Sequence, residues 1–325
     1  MTNLAPSQEQ QGIAAASATF LAEQLPLTRV RELAAVPGGD AVDDATWRRC
    51  ADLGWLALSL SEDAGGLGLG LAEEVMLFQQ LGRRLAPGPF RSSVLGARVA
   101  ARGGDAALAT AIGEGRRRVG MRLGELVIDA RPGDLLLELD ETGGRLHDVE
   151  TTERVEGVDP GTRFAKATTG APVVRCDDVL LVARARVLLA AELLGITEAV
   201  RDMSADYART RVQFGKAIGA FQAVKHRCAD MAVAAYVTRA QLFQAALLVE
   251  AGTAQADFHA ASAYLLAVQG AKRSTADNIQ NHGGIGYTWE HDAHLYLKRA
   301  LLLEHLLETS RATHRAVLAP ARHEF

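Results

Sequence analysis

From Arg186 onward the chain holds four long segments with helical spacing of apolar residues, and this pattern limits the fold more than any other feature. Glycine is rare inside these segments and the connections between them are short. Long helices with short connections pack as antiparallel neighbours, so the pattern predicts a four-helix bundle. The predicted helices are Val187 to Arg209, Phe221 to Ala251, Ala254 to Asn281 and His291 to His314.

A region of short apolar runs and turns precedes the bundle, between Arg118 and Leu181. Turn-forming clusters at Arg131–Asp134, Glu141–Gly144 and Asp159–Gly161 interrupt it. This spacing predicts a small antiparallel sheet or barrel.

The first hundred or so residues have helical spacing again. Helices are predicted over Ala14 to Leu25, Asp43 to Leu53 and Leu71 to Leu85, and Pro87 stops the third. The fold class is therefore mainly α with a small β-domain. The predicted domains are an N-terminal helical domain (1–113), a middle β-domain (114–185) and the C-terminal bundle (186–325).

Composition excludes several classes of protein. The 325 residues carry 35 basic and 39 acidic side chains, so the net charge of -4 gives no reason to expect nucleic acid or an anionic membrane as partner. No apolar run reaches the roughly 20 residues of a membrane span, and Met1 to Gln11 lacks the layout of a signal peptide. Cys50, Cys176 and Cys228 are too far apart for a metal motif and odd in number. We therefore expect a cytoplasmic protein with reduced thiols.

Two further patterns resemble binding motifs but fit them badly. The glycines of Gly65 to Gly70 precede a helix, yet they lack GxGxxG spacing and a preceding strand, so a structural turn is favoured over a dinucleotide site. His291 and His294 share a helix face at i,i+3, but no ExxH pair accompanies them. We expect no metal site.

Two segments at helix ends combine residue types that suit a nucleotide. Arg209 to Gln222 joins guanidinium groups, an aromatic ring and an amide, and an arginine fork suits a pyrophosphate. Gln280 to Glu290 holds three glycines within four residues, which allow a ligand to approach the backbone. A helix hairpin with a solvated arginine and a simple glycine cap remain the structural alternatives.

Together these segments closely resemble the C-terminal helical domain of acyl-CoA dehydrogenases. The resemblance rests on the order and spacing of Arg211 to Gly215, Phe221 to His226, Ala229 to Met231 and Gln280 with Gly283 to Tyr287. Glu62 to Pro89 resembles the N-terminal domain of the same family. The likeness is strong over about the last 140 residues, fair over about the first 90 and weak between them.

The resemblance implies that the chain binds FAD at a subunit interface and takes part in α,β-dehydrogenation of an acyl-CoA. By position, Arg211 resembles the arginine at the FAD pyrophosphate, Phe214 the aromatic beside it, and Gln222 the amide at the adenosine half. The loop that approaches FAD from the neighbouring subunit corresponds to Gln280, Gly283 and Gly284. Thr309 matches a threonine near the flavin.

The sequence departs from the family in its middle domain and at the catalytic base. The β-domain is short and lacks the strand motifs that cradle the flavin ring. In the family the catalytic base occupies one of two positions. This chain has Leu307 at the first position and Ala185 at the second. The nearest carboxylates are Glu308, one residue beyond the first position, and Glu192, seven residues beyond the second, each with an ordinary helical carboxylate as the alternative reading. Arg186 is a candidate substrate-binding residue.

These departures resemble the short subunit of actinobacterial acyl-CoA dehydrogenases that form α2β2 heterotetramers. There each FAD lies between unlike subunits, and the full-length partner supplies the base. Such pairs act on bulky CoA thioesters, including steroid side-chain and ring intermediates, and electron-transfer flavoprotein is the expected acceptor. The alternatives are a non-catalytic structural or regulatory subunit and a self-sufficient homo-oligomeric flavoenzyme.

Overall fold

The computed structural model describes residues 5–35, 41–307, 313–314 and 317–318. Within these ranges a small β-barrel separates two helical regions. The predicted class, mainly α with a small β-domain, is confirmed.

The N-terminal helical region begins earlier than its apolar spacing predicted. Its first helix starts at Gln8 rather than Ala14, because Ser7 and Gln10 form a capping box in which each side chain accepts from the other's backbone N–H. Asp43 caps the third helix by accepting from the Thr46 N–H at 2.8 Å, as its acidic start predicted. The helices are α1 Gln8–Gln24, α2 Leu27–Ala35, α3 Asp44–Asp52, α4 Leu71–Arg84, α5 Phe90–Arg102 and α6 Ala106–Gly113.

The glycine loop before α4 is a folded turn, in agreement with its structural interpretation. Gly65 adopts φ +77°, and the Gly66 and Gly68 N–H groups donate to the carbonyls of Ser61 and Leu60. A Cβ at Gly66 would overlap the Leu60 carbonyl, so only glycine fits there.

The middle domain is a closed five-stranded barrel with the strand order β1-β2-β5-β4-β3. Its pairings are antiparallel except for the parallel pair β1·β3, which closes it. The last two strands run on as an exposed ribbon, whose polar residues concealed their length in the sequence. The strands are β1 Val119–Leu123, β2 Leu126–Ile128, β3 Leu135–Asp140, β4 Gly143–Val155 and β5 Phe164–Cys176.

The C-terminal bundle is built around one buried helix, α7 Leu181–Thr210, which packs on α4 and on α9. Gly195 lies inside this helix, which runs through it without a break. A Cβ there would overlap the Gln79 carbonyl, and one at Gly82 would overlap the Glu192 carbonyl, so both glycines serve the close crossing of α4 and α7. The remaining elements are the hairpin β6 Val212–Gln213 and β7 Lys216–Ala217, then α8 Gln222–Glu250, α9 Ala256–His282 and α10 Ala293–Leu303.

The fourth helix was predicted too long. In the described residues it begins at Ala293, and its continuous part ends at Leu303 rather than at His314. The Tyr264 hydroxyl lies 2.8 Å from the Leu303 carbonyl and 3.0 Å from that of Glu304, so it satisfies acceptors that a longer helix would use itself. Candidate residues Glu308 and Thr309 lie outside the described residues.

Candidate functional site

The two segments with nucleotide-like composition lie at the same end of the bundle. Helices α7 and α9 are tied near their C-termini by the Ser204 hydroxyl, which donates to the Asn278 amide oxygen at 2.9 Å and accepts from Asn281 at 3.3 Å. One turn further on, the rings of Tyr207 and His282 stack with centroids 4.2 Å apart. The loop after Thr210 and the loop after His282 are therefore neighbours.

The first loop is a two-residue β-hairpin that presents an aromatic side chain. Gln213 pairs with Lys216, and Phe214 and Gly215 between them have φ of +49° and +77°, the signature of a type I′ turn. A phenylalanine in the left-handed region is strained by about 1 kcal/mol. Phe214 is nonetheless 91% exposed, and among the described residues its ring meets that of Phe221 edge-on, with centroids 6.1 Å apart. Burial within this chain therefore does not explain the presence of an aromatic residue at position 214.

The polar side chains of the predicted FAD set are exposed to solvent. Arg211, Gln222 and Gln280 are exposed, and no hydrogen bond or ion pair of the Arg211 guanidinium occurs among the described residues. Gly283 caps α9 with φ +64°, and a Cβ at Gly283 or Gly284 would meet no atom within 4 Å. This loop leaves its backbone open to a ligand.

These residues fit part of an FAD site. A free guanidinium suits a pyrophosphate, an exposed ring can pack on a flat ligand, and open backbone with flanking amides can hydrogen-bond a nucleotide.

Arg186 and the second base position lie inside the fold. Ala185 is fully buried, so a carboxylate there would face the core. The Arg186 side chain is also buried and its guanidinium donates to Asp257. Neither position opens to solvent in this chain.

Glu192 is an internal ion-pair partner rather than an accessible carboxylate. It is buried at the α4–α7 crossing and accepts from the Arg91 guanidinium of α5. A second buried pair lies nearby, in which Arg299 of α10 donates to Asp159 at 2.5 Å. Burial alone would lower the pKa of Arg299, but Asp159 raises it above its usual value.

A small cavity lies between these two ion pairs, and we call it the inner cavity. Glu192, Arg91, Arg299 and Leu306 are among its lining residues, and its volume is about 30 Å³. That volume holds about one water molecule, whereas ligand pockets span roughly 300–1,000 Å³. Leu307, at the first base position, is only half-buried and packs on the adjoining core.

Sequence reasoning missed the residues that join the two loops. Tyr207 precedes Arg211 by one helical turn, and its carbonyl accepts from the Arg211 N–H at 2.8 Å. His282 directly precedes the double glycine and is buried. The available signal was the i,i+4 spacing of Tyr207 and Arg211, which places both at one corner of the helix end.

Both helical regions of the chain match known protein domains. The acyl-CoA dehydrogenase C-terminal domain matches residues 181–318, and the N-terminal domain of that family matches residues 7–110. The acyl-CoA dehydrogenase IpdE2 of Mycobacterium tuberculosis is 35% identical over 317 residues, covering 95% of this chain and 96% of that protein. The chain belongs to the acyl-CoA dehydrogenase family.

Other members agree with this assignment. The acyl-CoA dehydrogenase IpdE2 of Mycolicibacterium smegmatis is 33% identical over 79% of this chain and 82% of its own length. A chain of the ChsE4-ChsE5 complex from Mycobacterium tuberculosis is 25% identical with a TM-score of 0.83, covering 99% of this chain and 100% of that one. A chain of a Tcur3481-Tcur3483 steroid ACAD variant has the same fold, with a TM-score of 0.81 at 23% identity over 95% of this chain and 96% of that one.

Members of this family are oxidoreductases that act on CH–CH groups, and their cofactor is FAD. The two family matches flank the barrel, which is the region where the sequence resemblance was weak. The match to IpdE2 covers 95% of this chain and 96% of that protein, so it extends across the barrel region as well.

One helix stands out by its exposed apolar surface. In the described part of the chain, α8 is the helix that is long and apolar enough to cross a membrane by length and composition, although the sequence had offered no candidate. Val233, Tyr236 and Val237 are exposed on it. Within residues 5–35, 41–307, 313–314 and 317–318, no three His, Cys, Asp or Glu side chains are grouped so that they could hold a metal ion.

Proposed function

We propose that this chain is the short subunit of an α2β2 flavin-dependent acyl-CoA dehydrogenase, in which it supplies half of the FAD site to a full-length partner. The observation that carries the proposal is a contrast within one chain. The FAD-like groups at the bundle end are exposed and open, whereas the interior beside the base positions is filled by buried ion pairs around a 30 Å³ cavity.

On this proposal the chain's own residues hold the nucleotide part of FAD. Arg211 binds the pyrophosphate, Phe214 packs beside it, and Gln222 contacts the adenosine half. Gln280, Gly283 and Gly284 approach the cofactor through amide and backbone groups, and Thr309 lies near the flavin. Bound FAD supplies a hydride acceptor, and the partner's sheet completes the cradle for its ring.

The partner also supplies the catalytic base. A general base must come within about 3 Å of the proton it removes. Glu192 is held by Arg91 in the core, and Ala185 and Leu307 carry no proton acceptor. Glu308 remains the candidate within this chain, and Arg186, which is paired with Asp257, remains a candidate only for indirect support of substrate binding.

We infer that the substrate is a bulky CoA thioester of steroid degradation. Support comes from the relative whose name includes steroid ACAD and from the likeness to a chain of the ChsE4-ChsE5 complex. The proposal also includes electron-transfer flavoprotein as acceptor, a cytoplasmic location and the domain boundaries 1–113, 114–185 and 186–325. The exposed apolar face of α8 supports assembly with another subunit, because such a face is stable in water when a partner covers it.

The decisive experiment expresses the chain alone and together with a full-length family member encoded beside it. Visible flavin absorbance and its bleaching by an acyl-CoA are then measured in both preparations. We expect bleaching only in the joint preparation. Flavin that bleaches with this chain alone would identify a self-sufficient enzyme, and a joint preparation without flavin would identify a structural subunit.

A further inference from the structure

Three aromatic rings form a column beneath the two FAD-like loops. His282 contacts both others: its ring stacks on Tyr207 of α7 at 4.2 Å and 24°, and it packs against the tilted ring of His291 at 4.3 Å and 46°. Stacked rings at such distances contribute about 0.5–1.5 kcal/mol beyond their buried area. The column joins the end of α7, the end of α9 and the segment that leads into α10.

Two of the three rings are also bonded to the backbone. The His282 Nδ1 lies 2.8 Å from the Asn278 carbonyl, and since a carbonyl only accepts, Nδ1 carries the proton. The His291 Nδ1 accepts from the Ala293 N–H at 3.1 Å. These two imidazoles therefore cannot turn without breaking a hydrogen bond to the chain next to them.

The glycine loop folds back onto the same histidine. Gly286 is buried, and a Cβ there would lie 3.1 Å from the His282 Cβ and 2.8 Å from the Ile279 carbonyl. The orientation of Gly283 and Gly284, which precede Gly286, thus depends on where His282 is held.

We infer that His282 is a positioning residue for FAD: held between Tyr207 and His291, it sets the glycine loop beside the arginine hairpin. This inference rests on the proposed function, because it concerns the same cofactor contact. His282 acts through the loop and does not itself touch the cofactor, since its side chain is 5% exposed.

The position requires a neutral imidazole. Burial lowers the pKa of His282, and the hydrogen bond to Asn278 opposes that shift only partly. Burial also lowers the pKa of His291, and nearby His282 lowers it further. The other titratable or charged groups around the column are Tyr207, Cys228, Arg31, Asp292 and His294.

The sign of the pH effect follows from the lowered pKa. A histidine favoured as neutral in the fold contributes stability that is present above its unfolded pKa of about 6.5 and is lost as the pH falls through the folded value. Protonated His282 would repel His291 and carry an uncompensated charge into the core. Such a charge would disturb the packing of His282 on Tyr207 and under Gly286, so we expect the glycine loop to shift and FAD binding to weaken in mildly acidic solution.

The test measures FAD affinity of the purified assembly by flavin fluorescence at pH 8 and pH 5.5. We compare the unmodified chain with His282→Phe, which keeps a stacking ring without a titrating proton, and with His282→Ala, which removes the ring. For the unmodified chain we expect weaker affinity at the lower pH, because protonated His282 no longer holds the glycine loop in place. His282→Phe should lose most of this pH dependence, and His282→Ala should bind weakly at both pH values.

Two variants separate the failure of this inference from failure of the proposed function. Equal pH dependence in the unmodified chain and His282→Phe would overturn the inference, as would loss of that dependence in His291→Phe but not in His282→Phe. If Arg211→Ala also binds FAD normally, the proposed function fails as well. Far-UV circular dichroism of each variant checks that the helices are retained.

Discussion

The end of the bundle that carries the Arg211 hairpin and the Gly283–Tyr287 loop is called the loop end here. Its charged groups are exposed, whereas those around the inner cavity are buried in pairs. At the loop end Arg211 and two glutamines face solvent, and a strained turn presents Phe214. Around the inner cavity each arginine has a carboxylate: Arg91 pairs with Glu192 and Arg299 with Asp159. Buried ion pairs fill the interior of the chain, whereas exposed unpaired groups are accessible to a ligand. One region of the chain is therefore built for contact with other molecules and the other is sealed.

The largest effect is expected at the sealed region. Glu192→Ala leaves the Arg91 guanidinium buried without its carboxylate, which should lower the free energy of unfolding by about 3–5 kcal/mol. Urea unfolding followed by circular dichroism measures it. The double variant Arg91→Met with Glu192→Leu should recover most of the loss, because two apolar side chains can fill the same volume. A loss below about 1 kcal/mol for Glu192→Ala would show that the interior is open to water.

The next effect is expected at the loop end, on binding rather than on stability. Arg211→Ala removes a charge-assisted contact to the pyrophosphate and should weaken FAD binding by about 2–3 kcal/mol, on the order of 50-fold. Arg209→Ala is a matched control, because Arg209 lies two residues away and its guanidinium is already paired with Asp206. Equal FAD affinities for the two variants would remove Arg211 from the site.

A half-buried acid in the lining of the inner cavity, Asp129, should give a pH-dependent effect. Burial raises the pKa of Asp129 to about 6, although the Arg163 N–H donates to it at 2.9 Å. A raised carboxyl pKa favours the protonated form in the fold, so this contribution to stability is present at low pH and is lost as the pH rises through about 6. Asp129→Asn, which keeps an acceptor for that N–H, should therefore stabilise the protein by about 1–2 kcal/mol at pH 8 and by nothing measurable at pH 4. Thermal unfolding at both values checks this, and equal gains at both would contradict it.

The smallest effects are expected for Phe214 variants, which distinguish the backbone strain of the hairpin from the role of the ring in FAD binding. Phe214→Gly should raise the stability of the chain by up to about 1 kcal/mol, since glycine adopts φ of +49° freely. The same change should weaken FAD binding several-fold because the ring is lost. Phe214→Leu keeps the strain and loses only the flat ring. If Phe214→Gly gained stability and bound FAD as before, the aromatic would have no part in the site.

Local sequence patterns were sufficient to predict where the helices at the loop end stop. Helix periodicity and glycine spacing predicted that α7 ends near Arg211 and α9 near Gly283, because caps and turns depend on neighbouring residues. That the two ends meet could not be predicted, since the Tyr207–His282 stack joins different helices.

The inner cavity could not be predicted from the sequence at all. Its pairs join residues 101 and 140 positions apart, and nothing near Glu192 or Asp159 in the sequence distinguishes a buried partner from a solvated carboxylate. The predicted end of α10 was also wrong because it depends on a residue that is distant in the sequence. The hydroxyl that satisfies its last carbonyls comes from Tyr264, on another helix.

The central claim, that this chain holds only half of an FAD site, is tested most directly by equilibrium binding of FAD. The chain alone and the chain assembled with its full-length partner are titrated with FAD, and flavin fluorescence gives each Kd. We expect the lone chain to bind at least about 100-fold more weakly than the assembly, a difference of about 2.7 kcal/mol. Equal affinity for the lone chain and the assembly would contradict the account.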